Sequence, residues 1–383
     1  MTDTRYSTLI NTRFHDLLIS YDFARKHNGA HLQAMAEMFT EQEQRQLLDV
    51  EVKAKSERDA VEQAKEQHRQ KKDLELNQLV SDSVIEQLND VDNIFENTLN
   101  IQDSIPAILD ILSVRAANIA RIEPLVMNLA WLEQDMVQFV NLPGYRPTKE
   151  GKPIRVDKAR SALSYIGIDN LKMVVPTFAL RKWIPHSTEP FRLMKRKMWE
   201  AGLGAAVSCK RLALIHNLDQ NIAFTAAAFH GLGQSAIVRL YLRRFDAIWK
   251  EQLEFARERR LKQDHEAIAA LEPSGEALRN LMIDHTPRLS AELIKRFDLK
   301  RLMIHPPMQE YAAADVREMS PLAVIMNKAI CYSRYKLLQR HGLIAKHEAK
   351  IYFKENNLTA AEVTELNKLS MRRLNLRLEQ QYN

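Results

Sequence analysis

Apolar residues recur at three- and four-residue intervals along most of the chain, and strict apolar/polar alternation is sustained nowhere. The first pattern is that of one buried helix face and the second that of a half-buried strand, so the expected fold class is all-α. A good example runs through Leu74, Leu76, Leu79, Val80, Val84, Ile85, Leu88, Val91, Ile94 and Phe95. A second opens at Asp103-Ser104-Ile105-Pro106, where Asp or Ser precedes a proline of a first helical turn, and continues through Ile108, Leu109, Ile111, Leu112 and Val114. That order reads as an N-cap followed by a buried face. A third, Leu125 to Val140, ends at Asn141-Leu142-Pro143-Gly144, a strong helix breaker.

Between Gly29 and Pro106 there is neither glycine nor proline. Helix-forming Glu, Gln, Lys, Ala and Leu dominate the interval. Its middle, from Glu62 through Asp73, is almost wholly polar. A helix polar all round is no core element, so it is expected to project into solvent or to lie across another surface. Ala54, Val61 and His68 recur every seven residues, too weak a set for a coiled coil, so an intramolecular helix or hairpin is favoured over a dimerising one. After an irregular stretch from Pro143 to Pro153, helical patterning resumes at Val156 and runs to Leu171. It returns over Lys195–His216, Asn221–Phe245, Trp249–Ala270, Glu276–Phe297 and Pro321–Gln339, with two smaller helices after Ala345 and Thr359. The expected organisation is a helical, partly polar N-terminal extension over 1–100, a helical domain over 101–340 and a C-terminal helical tail over 341–383.

Composition narrows the class. A chain of 383 residues, 45% hydrophobic, can bury one large core or two smaller ones. Cys209 and Cys331 stand far apart without metal-ligand spacing, which points to a reducing compartment and away from disulfides or structural zinc. No basic-then-apolar leader opens the sequence, and no apolar run approaches the ~20 residues that cross a bilayer. A cytoplasmic protein without a membrane partner is expected. Net charge is +6, spread over helices of mixed sign. Basic residues gather at Arg146, Lys149, Lys152, Arg155, Lys158 and Arg160, and again at Arg192, Lys195, Arg196 and Lys197. Such runs are usually solvated surface, so nucleic acid is not an expected partner.

The order of several short segments carries a family resemblance. Phe139-Val140-Asn141-Leu142-Pro143 and its loop lead into Ile154-Arg155-Val156-Asp157-Lys158-Ala159-Arg160-Ser161-Ala162-Leu163, and that helix breaks at Ile166-Gly167-Ile168. Met198-Trp199 through Ala213 and Phe224 through Leu232 follow. From about Ile105 to Leu338 the chain resembles the HDOD domain, a relative of the HD and HD-GYP metal-dependent phosphohydrolases. The resemblance implies a multi-helix HD-like bundle, and it assigns vestigial metal positions. The first HD histidine falls on Ala201. The His-Asp pair falls on His230-Gly231, and Gly231 can ligate nothing. His285 matches a histidine that HD-GYP relatives use as a ligand, while the later His-His pair falls on Gln309-Glu310, with His305 nearby.

At most two imidazoles, His230 and His285, survive from a set that must fill several coordination positions. No metal and no other cofactor is therefore expected, and none of the catalytic residues. His230 reads as a core histidine more readily than as a residual ligand. Asn141 reads as a helix-end residue that bonds the following loop, or else as one wall of a pocket with Arg146, Lys152 and Arg155. Gly-x-Ser-x-Gly and phosphate-cradling loops are absent: Gly231-Leu232-Gly233-Gln234 lacks the remaining residues of a nucleotide loop. Glycine pairs such as Gly202/Gly204 fit close helix packing. The resulting expectation is a non-catalytic regulatory or scaffold protein of bacterial signal transduction, with protein partners and, through its N-terminal helices, a homodimer as a further option. The alternatives are a residual metal-dependent phosphohydrolase and a nucleotide or cyclic-dinucleotide sensor.

Overall fold

The computed structural model describes residues 6–28, 49–146, 148–149, 152–313, 318–371, 374 and 376. These form helices α1 (Tyr6–Ile19), α2 (Tyr21–Asn28), α3 (Asp49–Gln87), α4 (Ser104–Leu112), α5 (Ile119–Met127) and α6 (Ala130–Val140). A two-residue antiparallel pairing of Thr148–Lys149 with Lys152–Pro153 interrupts them. Then come α7 (Ala159–Ile166), α8 (Ile168–Trp183), α9 (Met194–Ile215), α10 (Gln220–Phe229), α11 (Leu232–Glu258) and α12 (Lys262–Ala269). The last are α13 (Gly275–Arg296), α14 (His305–Ala313), α15 (Pro321–Arg340), α16 (Lys346–Glu355) and α17 (Ala360–Asn367). The chain is all-α, and one continuous apolar core runs through it.

Four expected helices divide, and the one expected over Asn221–Phe245 breaks between Phe229 and Leu232, giving α10 and α11. The stretch before Asn141 breaks between Met127 and Ala130, giving α5 and α6. The stretch from Val156 to Leu171 breaks at Gly167, whose φ of 76° suits a residue without a side chain. The helix expected over 249–270 instead begins far upstream at Leu232 and stops at Arg260, which has φ 57°. The expected cap of α4 also differs: Asp103 sits at the N-cap position but makes no side-chain capping bond. Helix α14 has no counterpart among the expected elements.

The polar helix α3 lies across the bundle rather than away from it. Leu76, Val80, Val84 and Leu88, each four residues apart, are buried, while Leu74, Leu79 and Ile85 stay exposed. This narrow stripe packs on α11, and the polar middle packs on α12. There His68 Nε2 and Lys72 Nζ reach Asp264 at 2.8 and 3.2 Å.

The two ends of the chain interlock. Ile10, Phe14, Leu17 and Leu18 of α1 are buried against α9, α13, α15 and α16. The Tyr6 and Ser7 amides donate to the Glu355 carboxylate at 3.1 and 2.7 Å, and Arg13 reaches the Leu343 carbonyl and Glu348. Buried Lys197 of α9 donates to the Leu17 carbonyl at the end of α1, and burial lowers its pKa to about 8.

Candidate functional site

The loop between α10 and α11 is held by one hydroxyl. Ser290 of α13 donates to the His230 carbonyl at 2.8 Å and accepts the Gly233 amide at 2.9 Å. Both groups lie at helix ends, where backbone donors and acceptors have no helical partner, so a buried serine supplies them. The His230 ring folds back on its own helix, with Nδ1 2.6 Å from the Ala227 carbonyl.

The two glycines of this loop have different reasons to be glycine. A Cβ on Gly233 would lie 2.8 Å from the Thr286 carbonyl oxygen and 2.9 Å from the Ser290 nitrogen, so α11 and α13 cross backbone to backbone there. A Cβ on Gly231 would meet nothing closer than the Gln234 Oε1 at 3.6 Å. A Cβ is thus accommodated at 231. The Gly202/Gly204 pair does serve packing: added Cβ atoms would press on Leu180 and on Ser333 and Met371.

His230, Gly231 and Ala201 meet at a cavity of about 70 Å³. Helix α1 closes one side with Asn11, Phe14 and His15, while α13 contributes Thr286 and Pro287. Tyr311 of α14 and Arg334 of α15 complete it. Pro287 lies inside α13 and removes the amide that would have bonded the Ile283 carbonyl, another lining residue. His15 is 4% exposed, with Nδ1 2.8 Å from the Asn11 carbonyl. Burial, reinforced by the Arg334 charge, lowers its pKa to about 3. Burial likewise lowers that of His230 to about 4, opposed by the Ala227 hydrogen bond and assisted by Arg334. Both imidazoles are therefore neutral at neutral pH.

A divalent metal does not fit these residues. Among the described residues no Asp or Glu lines the cavity, and a permanently charged guanidinium occupies its wall. Among the described residues no group of three or more His, Cys, Asp or Glu is placed to hold a metal. His285 is half-buried on α13, is not among the lining residues, and forms no hydrogen bond with Asp284.

The other sequence candidates lie elsewhere. Asn141 binds α6 to the segment that follows: its Nδ2 donates to the Val137 and Val156 carbonyls at 2.8 and 2.7 Å, and its Oδ1 accepts the Val156 amide at 3.0 Å. Its amide is thus engaged in turn chemistry. Arg146 and Arg155 are exposed, and Arg155 pairs with Asp157 at 2.9 Å. The side chain of Lys152 lies outside the described residues. Asn141, Arg146 and Arg155 do not line the His230 cavity. Both cysteines are free and buried.

With the cavity described, its relatives can be compared. Residues 100–271 match the HDOD domain. This HDOD match contains Ala201, His230 and Gly231 but neither α1 nor α13–α15. Asn11, His15, Thr286, Tyr311 and Arg334 are thus brought to Ala201, His230 and Gly231 from outside the matched region. No curated protein matches the chain. Two solved structures from Shewanella amazonensis SB2B are similar. One, described as a metal-dependent phosphohydrolase, is 13% identical with a TM-score of 0.43, covering 76% of this chain and 97% of its own. The other, described as a phosphohydrolase, is 14% identical with a TM-score of 0.39, covering 74% and 97%.

His15 and Arg334 were not among the sequence candidates. The available signals were faint: His15 sits between Phe14 and Leu17-Leu18 on an apolar helix, and Arg334 follows the apolar run Ala329 to Tyr332. A charged or titratable residue inside such a run faces either a partner or a polar cavity. No helix among the described residues is long and apolar enough to cross a membrane.

Proposed function

We propose that the protein is a non-catalytic regulatory or scaffold protein of bacterial signal transduction, working in the cytoplasm through protein–protein recognition and needing no metal cofactor. One observation carries this reading: Ala201, His230 and Gly231 converge on a cavity that contains the Arg334 cation and, among the described residues, no carboxylate. Metal-assisted hydrolysis needs anionic or imidazole ligands that hold a metal and lower the pKa of its water. A guanidinium in the same enclosure repels a divalent cation most strongly where water is excluded. The partner-binding surface in this reading is the solvent side of α3, a long polar helix that exposes Val61, Leu74, Leu79 and Ile85, and it can also serve self-association.

The test is elemental mass spectrometry of the full chain purified without chelators or a metal-affinity tag, paired with an assay of phosphodiester hydrolysis. Sub-stoichiometric manganese, iron and zinc with no turnover are expected. Near-stoichiometric metal that is lost in His230→Ala, together with hydrolysis, would refute the proposal in favour of a residual phosphohydrolase.

A further inference from the structure

Among the described residues no carboxylate balances the Arg334 charge in the His230 cavity. Among the described residues Arg334 forms no ion pair, and its Nε is buried without a hydrogen-bond partner. Its Cζ stands 5.2 Å from the centre of the Phe14 ring, and Tyr311 provides a hydrogen-bonding contact. Two further cavity atoms are buried and unpartnered: Thr286 Oγ1, on a side chain from a residue only 8% exposed, and Asn11 Oδ1. Native interiors pair their buried polar atoms, so three orphans on residues that line one cavity mark a place for something that bonds to them. His15 and His230, neutral there, add no countercharge.

We propose that this cavity binds a small oxyanion, hydrogen phosphate in chemical character, between Arg334, Thr286 and Asn11. The complementarity is atom by atom. A guanidinium donates to two oxygens of a tetrahedral oxyanion in a fork. The Thr286 hydroxyl donates to a third oxygen. Hydrogen phosphate retains one P–OH, and that proton suits Asn11 Oδ1, which can only accept. Sulfate has no such proton at neutral pH. Size limits the ligand as firmly as charge does. A cavity of about 70 Å³ accepts an inorganic ion, whereas sites for whole drug-sized ligands span roughly 300–1,000 Å³, so a nucleotide does not fit. Because the walls come from α1 and α13–α15 as well as from α9–α11, the bound ion would tie both ends of the chain to the HDOD region.

This inference rests on the cavity being free of metal, and the experiment separates the two claims. The full chain, shown metal-free by elemental analysis and exchanged into phosphate-free buffer, is titrated with sodium phosphate at ionic strength held constant with chloride, by calorimetry and by thermal midpoint. Saturable one-to-one binding is expected, stronger than for sulfate, and weakened about tenfold or more in Arg334→Met. If that variant fails to fold, Arg334→Lys and Thr286→Val provide the readout, each expected to weaken binding. Absence of saturable binding up to about 10 mM phosphate, or variants that bind as the wild type does, overturns the oxyanion site and leaves the non-catalytic reading standing. Stoichiometric metal with turnover overturns that reading instead.

Discussion

Gly231 and Gly233 lie two residues apart, and alanine at each should have opposite consequences. At Gly233 the new Cβ would sit 2.8 Å from the Thr286 carbonyl oxygen, 2.9 Å from the Ser290 nitrogen and 3.0 Å from Leu289 Cβ. Two of these three neighbours are backbone atoms of a packed helix and cannot rotate away, so α11 and α13 must separate. Alanine in a helix interior recovers up to about 1 kcal/mol of propensity, against an overpacking cost of about 1–3 kcal/mol. Separation would also stretch the 2.9 Å bond from the Gly233 amide to Ser290, adding about 1 kcal/mol. The net expectation is a loss of about 1–3 kcal/mol.

At Gly231 the backbone has φ −99° and ψ 16°, which other residues adopt, and the nearest neighbour is 3.6 Å away. Removing glycine's freedom in the unfolded chain should make Gly231→Ala neutral or more stable by about 0.4–1 kcal/mol. Urea unfolding followed by circular dichroism measures both variants against the wild type. A Gly233→Ala protein as stable as the wild type would refute the close α11–α13 crossing. A Gly231→Ala protein destabilised like Gly233→Ala would refute the argument that a Cβ is accommodated at that position.

Two other outcomes follow from groups that have no substitute partners. Ser290→Ala leaves both the His230 carbonyl and the Gly233 amide without their bond, at a cost of about 1–3 kcal/mol, read as a lower urea midpoint with an unchanged slope. At Glu362, 5% exposed, burial alone would raise the pKa, but bonds from Lys328, the Thr359 backbone and His216 hold it at about 2, below the ordinary 4.5. The depressed pKa stabilises the fold fully above about pH 4.5, and that contribution is lost as pH falls toward about 2; it amounts to about 3 kcal/mol. Stability measured against pH should therefore fall less steeply in Glu362→Gln over this window, and identical slopes would contradict the pairing.

The all-α class and the break at Asn141 were legible because they are local: periodicity and turn residues act over a few positions. The break at Gly167 came only with the family resemblance. The split at Arg260 was not, since a left-handed arginine has no compositional mark. The long polar helix was readable as a non-core element, but its seat on α11 and α12 depends on Asp264, nearly two hundred residues away from its partner His68. The site divides in the same way. Ala201, His230 and Gly231 could be found because the resemblance orders them along the chain, and they do meet at one cavity. What the cavity contains instead of metal ligands was illegible, because His15 and Arg334 enter from segments with no motif, separated from His230 by long stretches of chain. The motif positions are thus readable along the chain, whereas the groups that surround them are set by tertiary contacts.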